Sequence, residues 1–459
     1  MFSKKNRIMM IRISRGEKMK TILKQFKING FRNLTNVTLN LNDITAIIGL
    51  NSYGKSNVIK AVETGIKFIK ASLDEKMELM SDTQMFPLLK KNAGTDFSFE
   101  FTAEIIDDND EKTKVTYGFT CSWNTEVSDA GIKEEHLFIK RGKFIERDSS
   151  TAKYKSAQKG RCDALIAVDE NQLVLNKLEN FDNLHYSEIV KALNNIEFYV
   201  ERHLDASSSF RPTRFTFKNS SADFNLNDIP RTIWRIYERF SDKAKNLFNS
   251  FHDLFPTIDS IDCGEIPLSE ENMPDIDKSQ FLFYESIYVL RFKDSKLTQP
   301  LTFNALSDGT KRIFLTLTAA VLADIHNCSA IVFEEPENSI HPSLLQSYLR
   351  ILDKLSGDCK IIFTSHSPYM IQYLDLNDIY IGLPSKSGET DFRTIKKPKR
   401  LMKDAAKFDQ STGDFIFESL SFSNAGDMLG EYLSDTALDI DDTAVDDDDD
   451  WLNDDGGDE

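Results

Sequence analysis

The octet Gly49-Leu50-Asn51-Ser52-Tyr53-Gly54-Lys55-Ser56 sets a lysine and a hydroxyl directly behind a glycine loop, the G-x-x-x-x-G-K-[ST] pattern of a phosphate cradle. Each fixed residue has a task. The glycines let backbone N–H groups turn onto phosphate oxygens at a helix N-terminus, where the helix dipole favours negative charge. Lys55 is placed to reach the β- and γ-phosphates and Ser56 to ligate Mg²⁺, with Asn51 inside the octet and Asn57 directly after it. A cradle alone hydrolyses nothing. Phosphoryl transfer to water also needs a metal-holding acid and a group that orients the water. About 280 residues downstream, Glu334 and Glu335 follow the apolar run AIVF. The first is placed to hold Mg²⁺ and the second to act as general base, with strand alternation expected to point the two carboxylates apart. His366 follows a similar run, IIFTS, and is placed to hydrogen-bond the γ-phosphate. The other histidines lack metal-ligand spacing, and His341 reads as structural.

These residues need strand ends and helix starts to hold them. ITAIIG before the glycine loop is a short β-branched run that predicts a buried strand. Val58, Ile59, Val62, Ile66 and Ile69 after it recur at helical spacing, and Lys55 is expected to stand exposed in the cradle between the two. Further on, LSDGTKRIFLTLTAAVLADI opens a helix at Ser307, Asp308 and Gly309. Strands whose C-terminal ends are polar, alternating with helices, predict an open α/β sheet with its site along that edge. Residues 19–48 and 97–123 alternate apolar and polar residues and predict further strands, the first around Asn29-Gly30 and the second as a hairpin. Between 124 and 299 the pattern weakens, with helical stretches near 171–196 and 228–254 and a Ser- and Asn-rich loop at 205–227.

The expected division is a basic leader (1–18), a lobe with the phosphate loop (19–123), a partly helical insertion (124–285), a second lobe (286–400) and a C-terminal extension (401–459). Net charge is −17, but residues 431–459 hold fourteen acids and no base, leaving only −3 for the rest. The sequence therefore predicts a disordered acidic tail, preceded by a basic segment at 393–407 that suits nucleic acid or the tail itself. No apolar run approaches the roughly 18 residues of a membrane span, and the leader lacks the apolar block of a signal peptide, which predicts a cytoplasmic location. Five scattered cysteines without a C-x-x-C pair indicate neither a disulfide framework nor a zinc site.

Taken in order, GLNSYGKS, LSDGTKR, FEEPENSIHP and TSHSP resemble the Walker A, signature, Walker B with D-loop, and switch-histidine motifs of ABC-type ATPase heads. Such heads occur in the RecF, structural-maintenance-of-chromosomes and overcoming-lysogenization-defect proteins. The EEPE-x-x-x-HP form is most similar to the last group and to stand-alone ATPases of anti-phage systems of the Septu type. The resemblance covers residues 19–123 and 286–383. It implies ATP and Mg²⁺ as cofactors and a split head. It also implies a homodimer or higher homo-oligomer in which Ser307 and Gly309 cap the γ-phosphate held by Gly49, Gly54, Lys55 and Ser56 of a second protomer. The signature departs from LSGGQ at Asp308 and Thr310, which predicts slow turnover. Gln84 is the candidate for the Q-loop.

The residues after the last motif strand are basic and then acidic and do not resemble the nuclease domain that completes the overcoming-lysogenization-defect proteins, so none is expected within this sequence. The expectation is therefore a regulatory ATPase that controls a partner nuclease or other effector in trans, in anti-phage defence. The alternative is a RecF-like ATPase that clamps DNA in repair or recombination. A transporter subunit is disfavoured by the long interruption between motifs.

Overall fold

The computed structural model describes residues 19–434 apart from 52, 126–128, 158–159, 182–183, 202–227, 268–285, 384–387 and 423. The leader, the loop at 205–227 and the acidic tail from 435 onward lie outside the described residues.

A six-stranded sheet carries the motif-bearing strand ends. Its order is β10 (Phe198–Glu201), β14 (Ala330–Glu334), β15 (Lys360–Ser365), β3 (Ile44–Ile48), β16 (Ile379–Leu383) and β17 (Asp391–Thr394). Every pairing is parallel except the last. Strands β3, β14 and β15 are β-branched runs buried along nearly their whole length, the pattern a parallel sheet covered on both faces requires. Their alternate residues divide between two cores. Ala330, Val332, Ile362 and Ile47 pack toward helix α1 (Lys55–Lys70), whereas Ala46, Ile48, Ile331, Phe333, Ile361 and Phe363 pack toward helices on the opposite face.

Helix α1 is followed in the chain by α2 (Leu73–Ser81), closed at its start by a reciprocal Ser72–Glu75 capping box. Beyond it an eight-stranded antiparallel sheet runs β2 (Val37–Asn40), β1 (Lys20–Asn29), β4 (Phe97–Ile106), β5 (Lys112–Ser122), β6 (Gly131–Ile139), β7 (Gly142–Arg147), β8 (Ala152–Tyr154) and β9 (Ala164–Leu165). Strand β4 alternates buried and half-buried residues without a break, so Phe97, Phe99 and Phe101 join Phe26, Tyr117, Phe119 and Trp123 in an aromatic core. Gly65 of α1 sits directly on the Phe99 ring, and no larger residue fits there.

The middle of the chain is woven into both sheets. The boundary expected after residue 123 falls inside the antiparallel sheet, since β6–β9 extend it, and β10 forms the edge of the parallel sheet beside β14. Strand β6 was hidden in the sequence because GIKEEHLFI places Glu135 at an inward position. That glutamate is buried because it accepts Val174 N–H (2.6 Å) and Leu175 N–H (2.9 Å) at the start of the short helix α3 (Val174–Leu178), and the Tyr117 hydroxyl (3.0 Å). Helix α4 (Ser187–Asn194) follows.

On the far face of the parallel sheet lie α5 (Ile229–Arg239), α6 (Ser241–Leu254), α7 (Asp308–Ile325) and α8 (Pro342–Ser356), with a three-stranded sheet of β11 (Ile258–Pro267), β12 (Ser286–Asp294) and β13 (Leu301–Thr302). Helices α9 (Pro368–Tyr373), α10 (Pro398–Lys407), α11 (Thr412–Leu420) and α12 (Ala425–Gly430) complete the described chain. No helix among the described residues is long and apolar enough to cross a membrane.

Candidate functional site

Strand β3 lies between β15 and β16, so the glycine loop leaves the middle of the parallel sheet at its C-terminal edge. Gly54, at φ 85°, is the N-cap of α1. A side chain there is excluded twice, by the left-handed backbone and by Thr390, which stands where a Cβ would go. Lys55 is only 7% exposed, which corrects the expectation of an exposed lysine. Its stem is sunk under the loop and its ammonium donates to the carbonyls of Gly49 (2.7 Å) and Leu50 (3.0 Å). Burial lowers its pKa, and the nearby Glu335 and Glu337 carboxylates work against that shift.

Glu334 is the last residue of β14 and lies in register with Thr364 of β15. Glu335 is past the strand, at φ 49° and ψ 54°. The two carboxylates are thus separated by a left-handed backbone turn and not by strand alternation, which revises the reason expected from sequence. The turn is pinned from two sides: Glu335 N–H donates to Thr364 O (2.9 Å), and Arg312 of α7 donates to Glu335 O (3.1 Å). Asn338 donates to Glu335 Oε2 at 2.8 Å, and His366 Nδ1 lies 3.0 Å from Oε1. Partial burial opposes ionisation of Glu335, but Asn338, His366 and Lys55 outweigh it and hold the carboxyl below its ordinary pKa.

Asn51, Tyr53, Gly54, Lys55, Ser56, Asn57, Glu334, Glu335 and Thr364 line one cleft of about 180 Å³. Seven of the residues singled out in the sequence are therefore together in its walls. Gly49 touches the cleft through Lys55, and His366 through Glu335. Ser307 and Gly309 are not in its walls. Ser307 instead caps α7, accepting Thr310 N–H at 3.3 Å, and stands exposed with Asp308. The cleft is smaller than the roughly 300–1,000 Å³ of sites that enclose a small molecule. Ser56 and Glu334 are a hydroxyl and a carboxylate, hard oxygen donors that suit Mg²⁺, which keeps waters and phosphate oxygens as its other ligands. Among the described residues no cluster of three or more His, Cys, Asp or Glu makes an all-protein metal site.

Several neighbours escaped the sequence reading. Arg32, in the turn after β1 at φ 51°, donates to Asn57 Oδ1 (2.8 Å) and to the Gln84 carbonyl (2.8 Å), while Asn57 donates to Asn33 Oδ1 (2.7 Å). Gln84 meets the site through this backbone carbonyl, and its side chain is not in the cleft wall. Glu337 accepts from the Ser365 hydroxyl, which in turn accepts Ser367 N–H (3.0 Å), and burial raises the Glu337 pKa. The motif FEEPENSIHP contained this residue, but only its contact with Ser365 gives it a role. His341 caps α8 through Ser343 N–H (3.3 Å), the structural role expected of it.

A family profile described as an AAA domain, putative AbiEii toxin, Type IV TA system, matches residues 44–371. No curated protein matches the chain. Among solved structures, an SmcHead bound to the C-winged helix domain of ScpA is similar at 12% identity and TM-score 0.48, over 83% of this chain and 99% of that one. The Smc head domain with an extended coiled coil from Pyrococcus furiosus, bound to the C-terminal domain of ScpA, gives 11% identity and TM-score 0.46, over 85% and 100%. The recombination mediator protein RecF with ATP gives 12% identity and TM-score 0.36, over 82% and 99%.

Proposed function

The chain belongs to this family of AAA domains, and from that premise we propose that it is a slow ATPase whose sites close between two protomers and whose nucleotide state controls a partner effector. The observation that carries the proposal is the small cleft, in whose walls Lys55, Ser56, Glu334 and Glu335 meet while Ser307 and Gly309 are not among them. A second copy brings the start of its α7 over the triphosphate and supplies a further wall.

The residues divide the work as follows. Lys55 leaves the Gly49 and Leu50 carbonyls for the β- and γ-phosphate oxygens, exchanging two neutral acceptors for charged ones. Ser56 and Glu334 would hold Mg²⁺, which when bound would supply positive charge against the phosphates. Glu335 orients the attacking water and accepts its proton, with Asn338 and His366 fixing its carboxylate. A carboxylate whose pKa lies below the ordinary value is a weak base near neutral pH, which together with Asp308 in the signature favours slow turnover. Arg312 ties the start of α7 to the backbone of Glu335, so closure against a second copy is felt at the base.

The effector is proposed to be a nuclease or other toxic activity supplied in trans, within anti-phage defence, in keeping with the toxin–antitoxin description of the family. The same architecture serves a RecF-like DNA clamp, and salt-dependent duplex binding by the isolated chain is the result that would favour that reading. Ser307→Arg mixed with Lys55→Ala tests the composite site. Each variant alone is expected to be inactive, and the mixture to regain part of the wild-type rate because one of its two sites combines intact halves. Mixed dimers that form and stay inactive end the proposal.

A further inference from the structure

The last described residues run beside the start of α10. Ser434 N–H donates to Thr394 O (3.0 Å) and its hydroxyl accepts Thr394 N–H (3.2 Å), while Leu433 bridges Ile395. The Tyr432 carbonyl accepts from Lys396 N–H (2.8 Å) and Lys397 N–H (3.1 Å), and the Arg400 guanidinium lies over the Tyr432 ring and pairs with Glu431. Ser434, the last described residue before the acidic tail, is thus tied to Thr394, four residues ahead of Pro398 at the start of α10.

Helix α10 buries Leu401 and Ala405 and turns Lys399, Arg400, Lys403 and Lys407 outward. Acids of the folded surface already answer two of these: Arg400 pairs with Glu431 and Asp404, and Lys407 with Asp404. Lys397, Lys399 and Lys403 are exposed and have no ion pair among the described residues. Beside them Met402 is 54% exposed and Phe408 68% exposed, two large apolar groups within a charged face. Residues 435–459 carry thirteen acids and no base, and five consecutive aspartates at 446–450 lead into Trp451 and Leu452. The chain from Ser434 to Trp451 reaches at most about 58 Å, several times the roughly 15 Å length of α10, so the whole face is within range.

We propose that residues 435–459 fold back onto this face of their own chain, with aspartates over Lys397, Lys399 and Lys403 and with Trp451-Leu452 against Met402 and Phe408. Single exposed ion pairs are weak, but the tether raises the local concentration of the tail to the millimolar range, enough for several weak contacts to hold together. Any phosphate backbone or acidic partner that uses α10 must first displace the tail. The inference is independent of the nucleotide reading, because nothing in it involves the cleft.

Lysine acetylation followed by mass spectrometry tests it without nucleotide. The full chain is compared at low salt with a chain ending at Ser434 and with a full-length chain carrying Asp446→Asn through Asp450→Asn, which keeps the length. Lys399 and Lys403 are expected to react severalfold faster in both altered chains, and faster in the full chain at high salt, while exposed Lys112 of β5 reacts alike in all. A short DNA duplex is expected to slow acetylation of α10 in the shortened chain only. Equal rates in the three chains overturn the proposal. So does equal protection by the duplex with and without the tail, and so does protection that grows with protein concentration, which assigns the tail to a second copy.

Discussion

Strand β14 buries four residues and ends on Glu334, with Glu335 just past it, and β15 buries all six of its residues and ends on Thr364 and Ser365 ahead of His366, whereas β4 alternates along its length, burying Phe97, Phe99 and Phe101 and leaving Ser98, Glu100, Thr102 and Glu104 half-buried. One sheet collects polar groups at its ends, and the other distributes them along its face. The carboxylates mark the difference. Glu135 in the antiparallel sheet is fully buried and accepts two backbone N–H groups and a tyrosine hydroxyl, so its oxygens are committed to holding α3. Glu335 bonds Asn338, faces His366 and lines the cleft. A buried carboxylate with its acceptors filled by its own fold is a structural part, whereas one set between an amide and a histidine at a cleft wall keeps acceptor capacity for a ligand.

The sharpest test of that division is Glu335→Gln. Turnover is expected to fall by about 10²–10⁴-fold with ATP still bound and the melting temperature unchanged, because the amide fills the same space but takes no proton. Lys55→Ala is expected instead to lose ATP-dependent stabilisation against heat. Normal turnover in either folded variant would remove the corresponding residue from the site.

Next in size is Phe99→Ala, at the centre of the aromatic core and against Gly65 of α1. It is expected to cost about 3–5 kcal/mol in denaturant unfolding, with turnover per folded molecule near wild type well below the melting temperature. A loss of turnover larger than the loss of folded protein would mean that this sheet takes part in the chemistry. Glu135→Leu is expected to cost on the order of 1–3 kcal/mol, since it leaves two N–H groups and a hydroxyl without acceptors, and to leave nucleotide affinity by calorimetry unchanged.

An effect of the same order, read through pH, comes from Lys76, which donates to Ala71 O and Asn176 Oδ1 (3.0 Å) over the Phe68 ring. Burial pushes its ammonium down to about 8, against roughly 10.4 in an unfolded chain. Below pH 8 both states hold the proton and the burial penalty is fully present. Between about 8 and 10.4 the folded chain gives the proton up first, so stability rises with pH across that window. Denaturant midpoints of wild type relative to Lys76→Met should therefore climb by an amount on the order of 1–3 kcal/mol between pH 8 and 10.4. A flat difference would mean that the lysine stays charged in place.

The same contrast explains what the sequence disclosed. The phosphate loop was legible because its chemistry fixes residue types at fixed spacing, and Gly54 at φ 85° against Thr390 is such a requirement. Glu334 and Glu335 were legible as a pair, but the left-handed turn between them was not, because no local pattern distinguishes an extended glutamate from one pinned by Arg312 and Thr364. Thr390 and Arg32 meet the loop only through contacts set by the tertiary fold. In the antiparallel sheet β4 and β5 were legible from alternation, while β6 was obscured by Glu135 and β10 by its four-residue length at a sheet edge.

Both neighbours of the strand that carries the phosphate loop come from the last quarter of the chain: β3 pairs with β15 at residues 360–365 and with β16 at 379–383. At ordinary translation rates the ribosome needs roughly 15–70 s to travel from Ile48 to Leu383. Through that interval the nascent glycine loop has no sheet to anchor it and no Thr390 to seat Gly54. If residues 49–56 grip nucleotide as proposed, that grip belongs to a nearly finished polypeptide, and a message truncated before codon 383 yields the glycine loop without the neighbouring strands that seat it.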